Sequence, residues 1–513
     1  MEARIGRGAA AWAGIAAAIA GAGAGEILAA LVAPRSSPFA AIGSALIDAA
    51  PTWAKDVAIA VFGTNDKLAL LVLIAIMLLA VAVAAGLVQR ARPPWGAVGA
   101  GILGFVGAAA AITRADADAL AALPSVLAGV IGSVGVWIFV RPTTADPAAA
   151  VTPSAGATAS LSRRGFVLGS VGAAVIGAGA VAWAATGRTA SASVRAIRDG
   201  LRLPTAARIA NVPAGADLGI DGLAPYLTPN RDFYRIDTAL IVPEIDPADW
   251  SLRIHGLVDR ELTLTWDDLL ALPLEESVTT LACVSNPVGG DLVGTARWLG
   301  YPIHHLLTDA GVQGSADMVL SRSHDGFTAG TPLEALTDGR NAILAVGMNG
   351  DPLPIQHGFP VRMVVPGLYG YVSATKWVVD LEVTRFDQAR AYWTDRGWSA
   401  RGPIKLQSRI DVPRSTDIAA GETIVAGIAW QPHTGIAGVE VRVDEGTWQR
   451  AELARATSDD TWVQWSLPID IPPGAHTLTC RALSRRGQTQ SATQLPPAPD
   501  GAQGWHSVGV TAA

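Results

Sequence analysis

The stretch TLACVSNPVGGDLVGTARW, residues 280–298, is the part of the chain that ordinary folding requirements explain least well. An apolar lead-in ends at Cys283, and a glycine-rich loop follows it. Such a loop can present one soft sulfur to a bound group, because loops on a rigid scaffold commonly carry binding residues. A free cysteine is also common as a small buried hydrophobe. Cys283 taken alone therefore leaves both interpretations open.

The composition indicates a chain that lies partly in a lipid bilayer. Its 513 residues are enough for about three domains. Half of the residues are hydrophobic, only 16% are charged, and the mean hydropathy is +0.34. The net charge of −6 argues against a nucleic-acid partner, since there is no basic excess to neutralise phosphates. The two cysteines, Cys283 and Cys480, form neither a C-x-x-C metal motif nor a disulfide framework.

Residues 1–187 predict a multi-pass α-helical membrane domain with about five transmembrane helices. Each predicted span can cross about 30 Å of hydrocarbon as a helix. The arginines between spans place the N-terminus inside the cell and everything after residue 187 outside, on the extracytoplasmic side of a bacterial cytoplasmic membrane. We interpret residues 34–66 as amphipathic helices in the interface, although a further span there would invert this topology. The predicted spans are 9–33, 67–89, 95–113, 120–140 and 165–186.

The fifth predicted span begins with a paired basic motif. Arg163 and Arg164 lie in SRRGFVL, which resembles a twin-arginine export signal, here internal rather than N-terminal. Two arginines are also expected before any helix that starts in the cytoplasm, so this explanation stays open. If the motif is an export signal, the following domain crosses the membrane folded, which a cell needs chiefly when a cofactor is inserted in the cytoplasm.

The remaining chain predicts a linker and two domains. Residues 188–204 are polar and alanine-rich, typical of a linker. Residues 205–394 mix short alternating runs with short helical stretches capped at Thr265 and Gly311, which predicts an α+β domain. Residues 395–513 contain only strand patterns and predict a β-sandwich of immunoglobulin-like size, with Cys480 in its core.

Four segments of the middle domain combine basic, imidazole, amide or hydroxyl side chains with glycine and proline. If they converge, they form a pocket with one soft sulfur and several cationic donors. Such a pocket suits a metal bound by thiolate and an organic ligand that carries a phosphate. The segments are 228–235, 280–298, 323–326 and 357–377.

These segments, in this order, resemble the sulfite oxidase family of molybdopterin oxidoreductases across about residues 205–390. The sandwich resembles that family's molybdenum-cofactor dimerisation domain. The resemblance implies that Cys283, in the motif C-x-x-N, is the thiolate ligand of molybdenum, and that Arg235 faces the active site. Both are predicted catalytic residues. The predicted cofactor contacts are Phe233, Tyr234, Arg235, Asp325, His357, Arg362, Ser373, Thr375 and Lys376.

Two motifs match the family pattern closely, and the chain also differs from animal sulfite oxidases. His357 and Arg362 match the motif H-G-F-P-x-R, and residues 373–376 match the segment that holds the pterin phosphate, where an ammonium and backbone N–H groups suit an anion. Animal sulfite oxidases read Arg-Asn-His where this chain has Arg235-Ile-Asp237. Membrane helices replace their haem domain, and their pocket tyrosine has no clear counterpart.

The resemblance implies an oxidoreductase that carries out two-electron oxygen-atom transfer on a small sulfur oxyanion such as sulfite. Its cofactors would be molybdenum and molybdopterin, its electron carrier a separate quinone or cytochrome, and a homodimer is compatible with the dimerisation-type domain. One alternative is a sulfoxide (S-oxide) reductase of the same family. The alternative from another class is an extracellular binding module without a cofactor.

Overall fold

A computed structural model describes residues 5–32, 36–49, 66–114, 117, 120–141, 163–186, 189–239 and 241–513. The chain divides into two compact units. The first comprises the chain up to Ser193 together with Thr238–Val242, and the second comprises Val194–Asp237 together with Pro243–Ala513.

The described part of the first unit is helical. Its helices are α1 (Arg7–Val32), α2 (Pro38–Ala49), α3 (Asp66–Ala91), α4 (Trp95–Ile112), α5 (Leu123–Phe139) and α6 (Arg163–Thr186). Among the described residues, four stretches are long and apolar enough to cross a membrane, and α5 is a shorter apolar helix. These stretches are Arg7–Val32, Ala69–Ala91, Trp95–Ile112 and Arg164–Trp183. They coincide with four predicted spans. In the predicted interfacial segment, α2 is helical, and residues 34–35 and 50–65 lie outside the described residues.

Small residues let these helices approach closely. A Cβ added to Gly14 of α1 would lie 2.0 Å from the backbone oxygen of Ala82 on α3. Gly104 of α4 and Gly129 of α5 face each other in the same way, with a Cβ on Gly104 only 2.4 Å from the Gly129 Cα. Larger side chains at these crossings would push the helices apart, which explains the Ala/Gly-rich composition.

The segment predicted as a linker contains a helix, α7 (Thr189–Gly200). Within the second unit, Val194 of α7 is buried in an apolar core, and the Arg198 side chain donates hydrogen bonds to the backbone oxygens of Leu353 (2.7 Å) and Pro352 (2.8 Å). The end of the predicted linker is therefore attached to this unit. Val194 and Arg198 both contribute to this attachment, which a polar composition does not reveal.

The middle domain contains two sheets, in agreement with the predicted α+β pattern. One has the strand order β2-β1-β10-β5-β6, and only its β1–β10 pair is parallel. The other is antiparallel with the order β3-β4-β7-β8, and β9 also pairs with β7. The strands are β1 (Ser251–Gly256), β2 (Leu262–Thr265), β3 (Glu275–Ala282), β4 (Val293–Pro302), β5 (Met318–Ser323), β6 (Thr328–Pro332), β7 (Ile343–Met348), β8 (Asp351–Pro352), β9 (Arg362–Val364) and β10 (Val378–Thr384).

Four short helices connect these strands. They are α8 (Trp266–Ala271), α9 (Ile303–Ala310), α10 (Glu334–Thr337) and α11 (Gly370–Ser373). Thr265 and Asp268 form a capping box at the start of α8, and Gly311 ends α9 in the left-handed conformation. Both caps were predicted from the sequence, because each depends on a local residue pattern.

The C-terminal region is a two-layer β-sandwich. One sheet has the order β11-β13-β17-β16 and the other β12-β19-β18-β14-β15. Side chains from both sheets share one apolar core, in which Trp465 of β17 and Cys480 of β18 are fully buried. The position of Cys480 is therefore as predicted. The strands are β11 (Gln407–Val412), β12 (Asp417–Ile418), β13 (Gly421–Trp430), β14 (Ile436–Val443), β15 (Gln449–Arg450), β16 (Glu452–Leu453), β17 (Val463–Ile471), β18 (Gly474–Ser484) and β19 (His506–Ala512).

Candidate functional site

Cys283 lies at the first position of the loop that joins β3 to β4. Its backbone N–H donates to the Leu292 oxygen at 2.9 Å, which closes the loop at its base. Asn286 stabilises the loop from inside, because its backbone N–H donates to the Cys283 backbone oxygen (3.1 Å) and its Oδ1 accepts from the Leu292 N–H (2.9 Å). The Asn of the motif C-x-x-N thus shapes the loop that carries the sulfur. Burial raises the pKa of the Cys283 thiol.

The sandwich supports the same loop from the other side. Arg409 of β11 donates from Nη1 to the Gly290 oxygen at 2.6 Å, and Asp411 holds the Arg409 side chain by an ion pair of 2.6 Å. Gly289 has φ +76° and lies so close to His506 of β19 that an added Cβ would be 2.2 Å from the imidazole. A Cβ is therefore excluded there both by backbone conformation and by space.

Phe233 and Tyr234 form an aromatic surface against β4. Their rings stack at 5.2 Å, and Phe233 meets both Trp298 and His357 edge-on with 5.7 Å between ring centroids. Gly294 leaves room for Phe233, since an added Cβ would lie 2.9 Å from its ring. Burial, and after it the Cys283 sulfur, raises the pKa of Tyr234. The segment beginning at Phe233 therefore lies beside Cys283.

His357 and Arg362 are buried together at the start of β9. Arg362 donates from Nη1 to the His357 oxygen at 3.0 Å, and its guanidinium lies 5.0 Å from the Trp298 ring. His357 Nε2 is 3.2 Å from the backbone oxygen of Asn230. Because a carbonyl oxygen can only accept a hydrogen bond, this ring nitrogen carries the hydrogen. Burial, assisted by the charges of Arg362, Lys376 and Arg235, lowers the pKa of His357 to about 3. The imidazole is therefore neutral at physiological pH.

Arg235 and Lys376 share one carboxylate, that of Asp237. The Asp237 Oδ2 atom accepts from Arg235 Nε at 3.0 Å and from Lys376 Nζ at 2.5 Å. The Asp237 and Lys376 side chains are only 5% and 10% exposed, whereas Arg235 is 34% exposed. Lys376 also donates to the Gln356 oxygen at 3.2 Å. Arg235 is thus the side chain of this ion-paired group that solvent reaches most easily.

The other predicted cofactor contacts have partners within the protein. The Ser373 hydroxyl donates to backbone oxygens of the preceding turn, and Thr375 Oγ1 lies 2.7 Å from Ser321 Oγ. Asp325 Oδ1 accepts from the Phe327 N–H at 3.2 Å in the turn between β5 and β6. This turn adjoins residues 376 and 377, because the His324 N–H donates to the Trp377 oxygen. The roles of Ser373, Thr375 and Asp325 toward a cofactor stay predictions.

Several residues of the site were not selected from the sequence. Asp237 was visible as a departure from the family pattern, and Asn286 as the last position of C-x-x-N. Arg409 and His506 had no signal, because they lie more than a hundred residues away and outside the matching segments. Ser323 Oγ is buried, and among the described residues it has no hydrogen-bond partner.

These residues fit a molybdenum cofactor of the pterin type. The single sulfur of Cys283 is a soft ligand, and the cations Arg235, Arg362 and Lys376 suit a phosphate. Ser323 Oγ offers a further polar group that protein atoms leave unused. Cys283 would hold the metal and the basic residues would hold the anionic part.

Comparison with known proteins indicates the same class of cofactor. The family model described as oxidoreductase molybdopterin binding domain matches residues 239–393. The mitochondrial sulfite oxidase of Rattus norvegicus is 30% identical over 321 residues, which cover 53% of this chain and 58% of the relative. The chain therefore spans little more than half the length of that relative. The uncharacterized oxidoreductase YuiH of Bacillus subtilis (strain 168) is 33% identical over 157 residues, 31% of this chain and 76% of the relative.

Among solved structures, the sulfane dehydrogenase SoxCD from Paracoccus pantotrophus has a TM-score of 0.49 at 22% identity. The similarity covers 57% of this chain and 82% of that one. The sequence matches define a molybdopterin-binding oxidoreductase, whose cofactor is molybdenum with molybdopterin. The chain belongs to the sulfite oxidase family of these enzymes.

Proposed function

We propose that the protein is a membrane-anchored oxidoreductase that carries out two-electron oxygen-atom transfer on a small sulfur oxyanion such as sulfite. It adds an oxygen atom to the anion while taking two electrons from it, or the reverse. One observation carries this proposal. Tyr234, which stacks on Phe233, lies close enough to both Cys283 and Arg362 to interact electrostatically with them, and Phe233 meets His357 edge-on. A soft metal ligand and an anion-binding group are thus neighbours.

The cofactor and the electron carrier contribute different parts of the proposed reaction. When bound, the cofactor supplies a two-electron centre that gives or takes one oxygen atom. In the oxidising direction, sulfite and water become sulfate, two protons and two electrons. The electrons leave to a separate carrier, a quinone or a cytochrome, and the reducing direction reverses this balance.

The basic residues of the chain differ in what they can bind. Arg362 is 5% exposed and already bonded to backbone oxygens, so it orients the anionic part of the cofactor rather than meeting a substrate. Arg235 is more exposed, and its Nε is held by Asp237. Its Nη groups would bind the oxygens of the substrate, since a guanidinium matches the geometry of an oxyanion.

The helical unit supports a location in the bacterial cytoplasmic membrane. Within its described residues, four stretches are long and apolar enough to span it. The arginines between the predicted spans favour an extracytoplasmic catalytic domain, and the internal twin-arginine motif favours export after cofactor insertion. A homodimer through the sandwich belongs to the same proposal.

S-oxide reduction is a second candidate, and the carboxylate of Asp237 is the observation that favours it. A negative charge paired with Arg235 makes the site less attractive to a doubly charged anion and more tolerant of a neutral S-oxide.

Metal analysis of the full chain, followed by a substrate panel, tests the proposed function. We expect molybdenum in the matured protein, and turnover either with sulfite and an artificial acceptor or with methionine sulfoxide and an artificial donor. The Cys283→Ser variant, which lacks the proposed metal ligand, should remain folded but lose turnover by on the order of a thousandfold or more.

The matched control is Cys480→Ser, which changes the other buried cysteine, in the sandwich core. It should retain turnover. Matured protein without molybdenum, or a Cys283→Ser variant with wild-type turnover, would contradict the assignment.

A further inference from the structure

Asp237 is the acidic partner within the basic part of the site. Its carboxylate is almost completely buried and pairs with Arg235 and Lys376 through the same oxygen, Oδ2. We infer that Asp237 lowers the positive charge of the substrate pocket, so that the pocket binds dianions less tightly, relative to singly charged or neutral sulfur–oxygen compounds, than its two cations alone would. This inference rests on the proposed function, in which Arg235 meets the substrate.

The charges of the ion-paired group can be counted. Two cations and one carboxylate give Arg235, Lys376 and Asp237 a combined charge of +1. Arg362 does not share this carboxylate, since its contacts are backbone oxygens and the Trp298 ring. His357 adds no charge, because the imidazole is neutral. Without the carboxylate, Arg235 and Lys376 together would carry +2.

The geometry also limits what Lys376 can do. Its ammonium is only 10% exposed, and it lies 4.7 Å from the Trp377 ring while bonded to Asp237 and to the Gln356 oxygen. A substrate therefore meets Arg235 first, and it meets that guanidinium with one edge already bonded to a carboxylate. Since burial weakens screening by salt, the negative charge acts on the substrate over several ångströms.

The position of Asp237 suits a positioning residue rather than a catalytic one. It acts through Arg235, by fixing the Nε edge of the guanidinium and by lowering the positive potential. A merely structural ion pair would hold the segment in place but would not select between substrates of different charge. Discrimination between charges is therefore the property to measure.

The test uses the cofactor-loaded full chain in detergent, with Asp237→Asn to remove the charge at constant size and Asp237→Glu to keep it. Sulfate binding is measured by calorimetry, and the KM for sulfite is compared with the KM for methionine sulfoxide. We expect Asp237→Asn to bind sulfate about tenfold more tightly and to shift the ratio of the two KM values toward the anion by a similar factor. Asp237→Glu should stay within about threefold of the wild type.

Unchanged or weaker sulfate binding in a folded, molybdenum-containing Asp237→Asn protein would overturn the inference. If that variant fails to fold, the inference is tested on the wild-type protein, by comparing its affinity for sulfate with its affinity for the singly charged nitrate. We expect these to agree within about threefold, and a tenfold advantage for sulfate would refute the role of Asp237. Sulfate binding needs no turnover, so this result is separable from the test of the proposed function.

Discussion

At the residue scale, the site depends on groups whose charge is set by burial. His357 shows this most directly, because desolvation and three nearby cations keep the imidazole neutral. Arg362 responds to the same environment differently. Burial lowers its pKa to about 10, which still leaves it protonated at neutral pH. The buried pair thus combines one neutral hydrogen-bonding group with one permanent cation.

The neutral state of His357 predicts a loss of stability in acid. Its pKa falls from 6.5 to about 3 in the folded protein, so the unfolded chain binds a proton that the native chain excludes. Its stabilising contribution is complete above about pH 6.5 and is lost as the pH falls toward 3, by up to about 1.4 kcal/mol per pH unit. We expect His357→Gln to show a smaller decrease in melting temperature between pH 7 and pH 4 than the wild type.

The matched control for this prediction is His305→Gln, which replaces an exposed histidine of α9. Its melting temperature should depend on pH as that of the wild type does. If His357→Gln and the wild type lose the same number of degrees on acidification, His357 is not held neutral in the folded protein.

At the element scale, the important unit is the β3–β4 hairpin together with the strands that support its loop. Asn286 shapes the loop from within, while Arg409 and His506 contact it from the sandwich. The sulfur of Cys283 is therefore positioned by two domains rather than by its own hairpin alone. This arrangement predicts that loop geometry, and not only the cysteine, governs cofactor retention.

Replacing Gly289 tests that prediction. In Gly289→Ala, the Cβ would clash with the His506 ring and the residue would keep a φ of +76°, which alanine disfavours. We expect a loss of about 2 kcal/mol or more in stability, together with a lower molybdenum content. Both are measured on the purified full chain, by thermal unfolding and by metal analysis.

Gly314→Ala provides the comparison, because an added Cβ there meets nothing within 4 Å. Its stability should stay within about 0.5 kcal/mol of the wild type, and its molybdenum content should be normal. Equal effects of the two substitutions would show that the sandwich does not constrain the cysteine loop.

At the scale of the whole molecule, a helical unit is joined to a unit that carries the site. The helices that can span a membrane include Arg164–Trp183, which begins within the paired arginine motif. If this motif directs folded export, it links insertion of the cofactor to the final location of the second unit.

The export prediction is tested by conservative replacement of both arginines. We expect Arg163→Lys/Arg164→Lys to leave the charge of the helix start unchanged but to prevent the catalytic domain from reaching the outer side. Protease accessibility in spheroplasts measures this. Arg90→Lys/Arg92→Lys, at the end of α3, is the control and should be exported normally. Full protease accessibility of the first variant would exclude twin-arginine export.

Features that depend on neighbours along the chain could be predicted from the sequence alone. Long apolar runs predicted the helices that can span a membrane, because span length and hydropathy are local properties. Thr265 and Gly311 predicted helix ends, and alternation predicted the sandwich strands. The motif around Cys283 and the H-G-F-P-x-R motif identified the family, since each motif keeps its functional residues within a few positions.

The pairing of distant residues at the site, in contrast, is visible only in the three-dimensional fold. Lys376 and Asp237 are 139 positions apart, and Arg409 and Gly290 are 119 apart. No local pattern encodes such pairs, because chain folding rather than spacing brings them together. The same reason explains why the predicted linker ends in a helix attached through Arg198 to Leu353, 155 positions away. The sequence thus supplied the sulfur and the cations, and the fold placed one carboxylate between two of those cations.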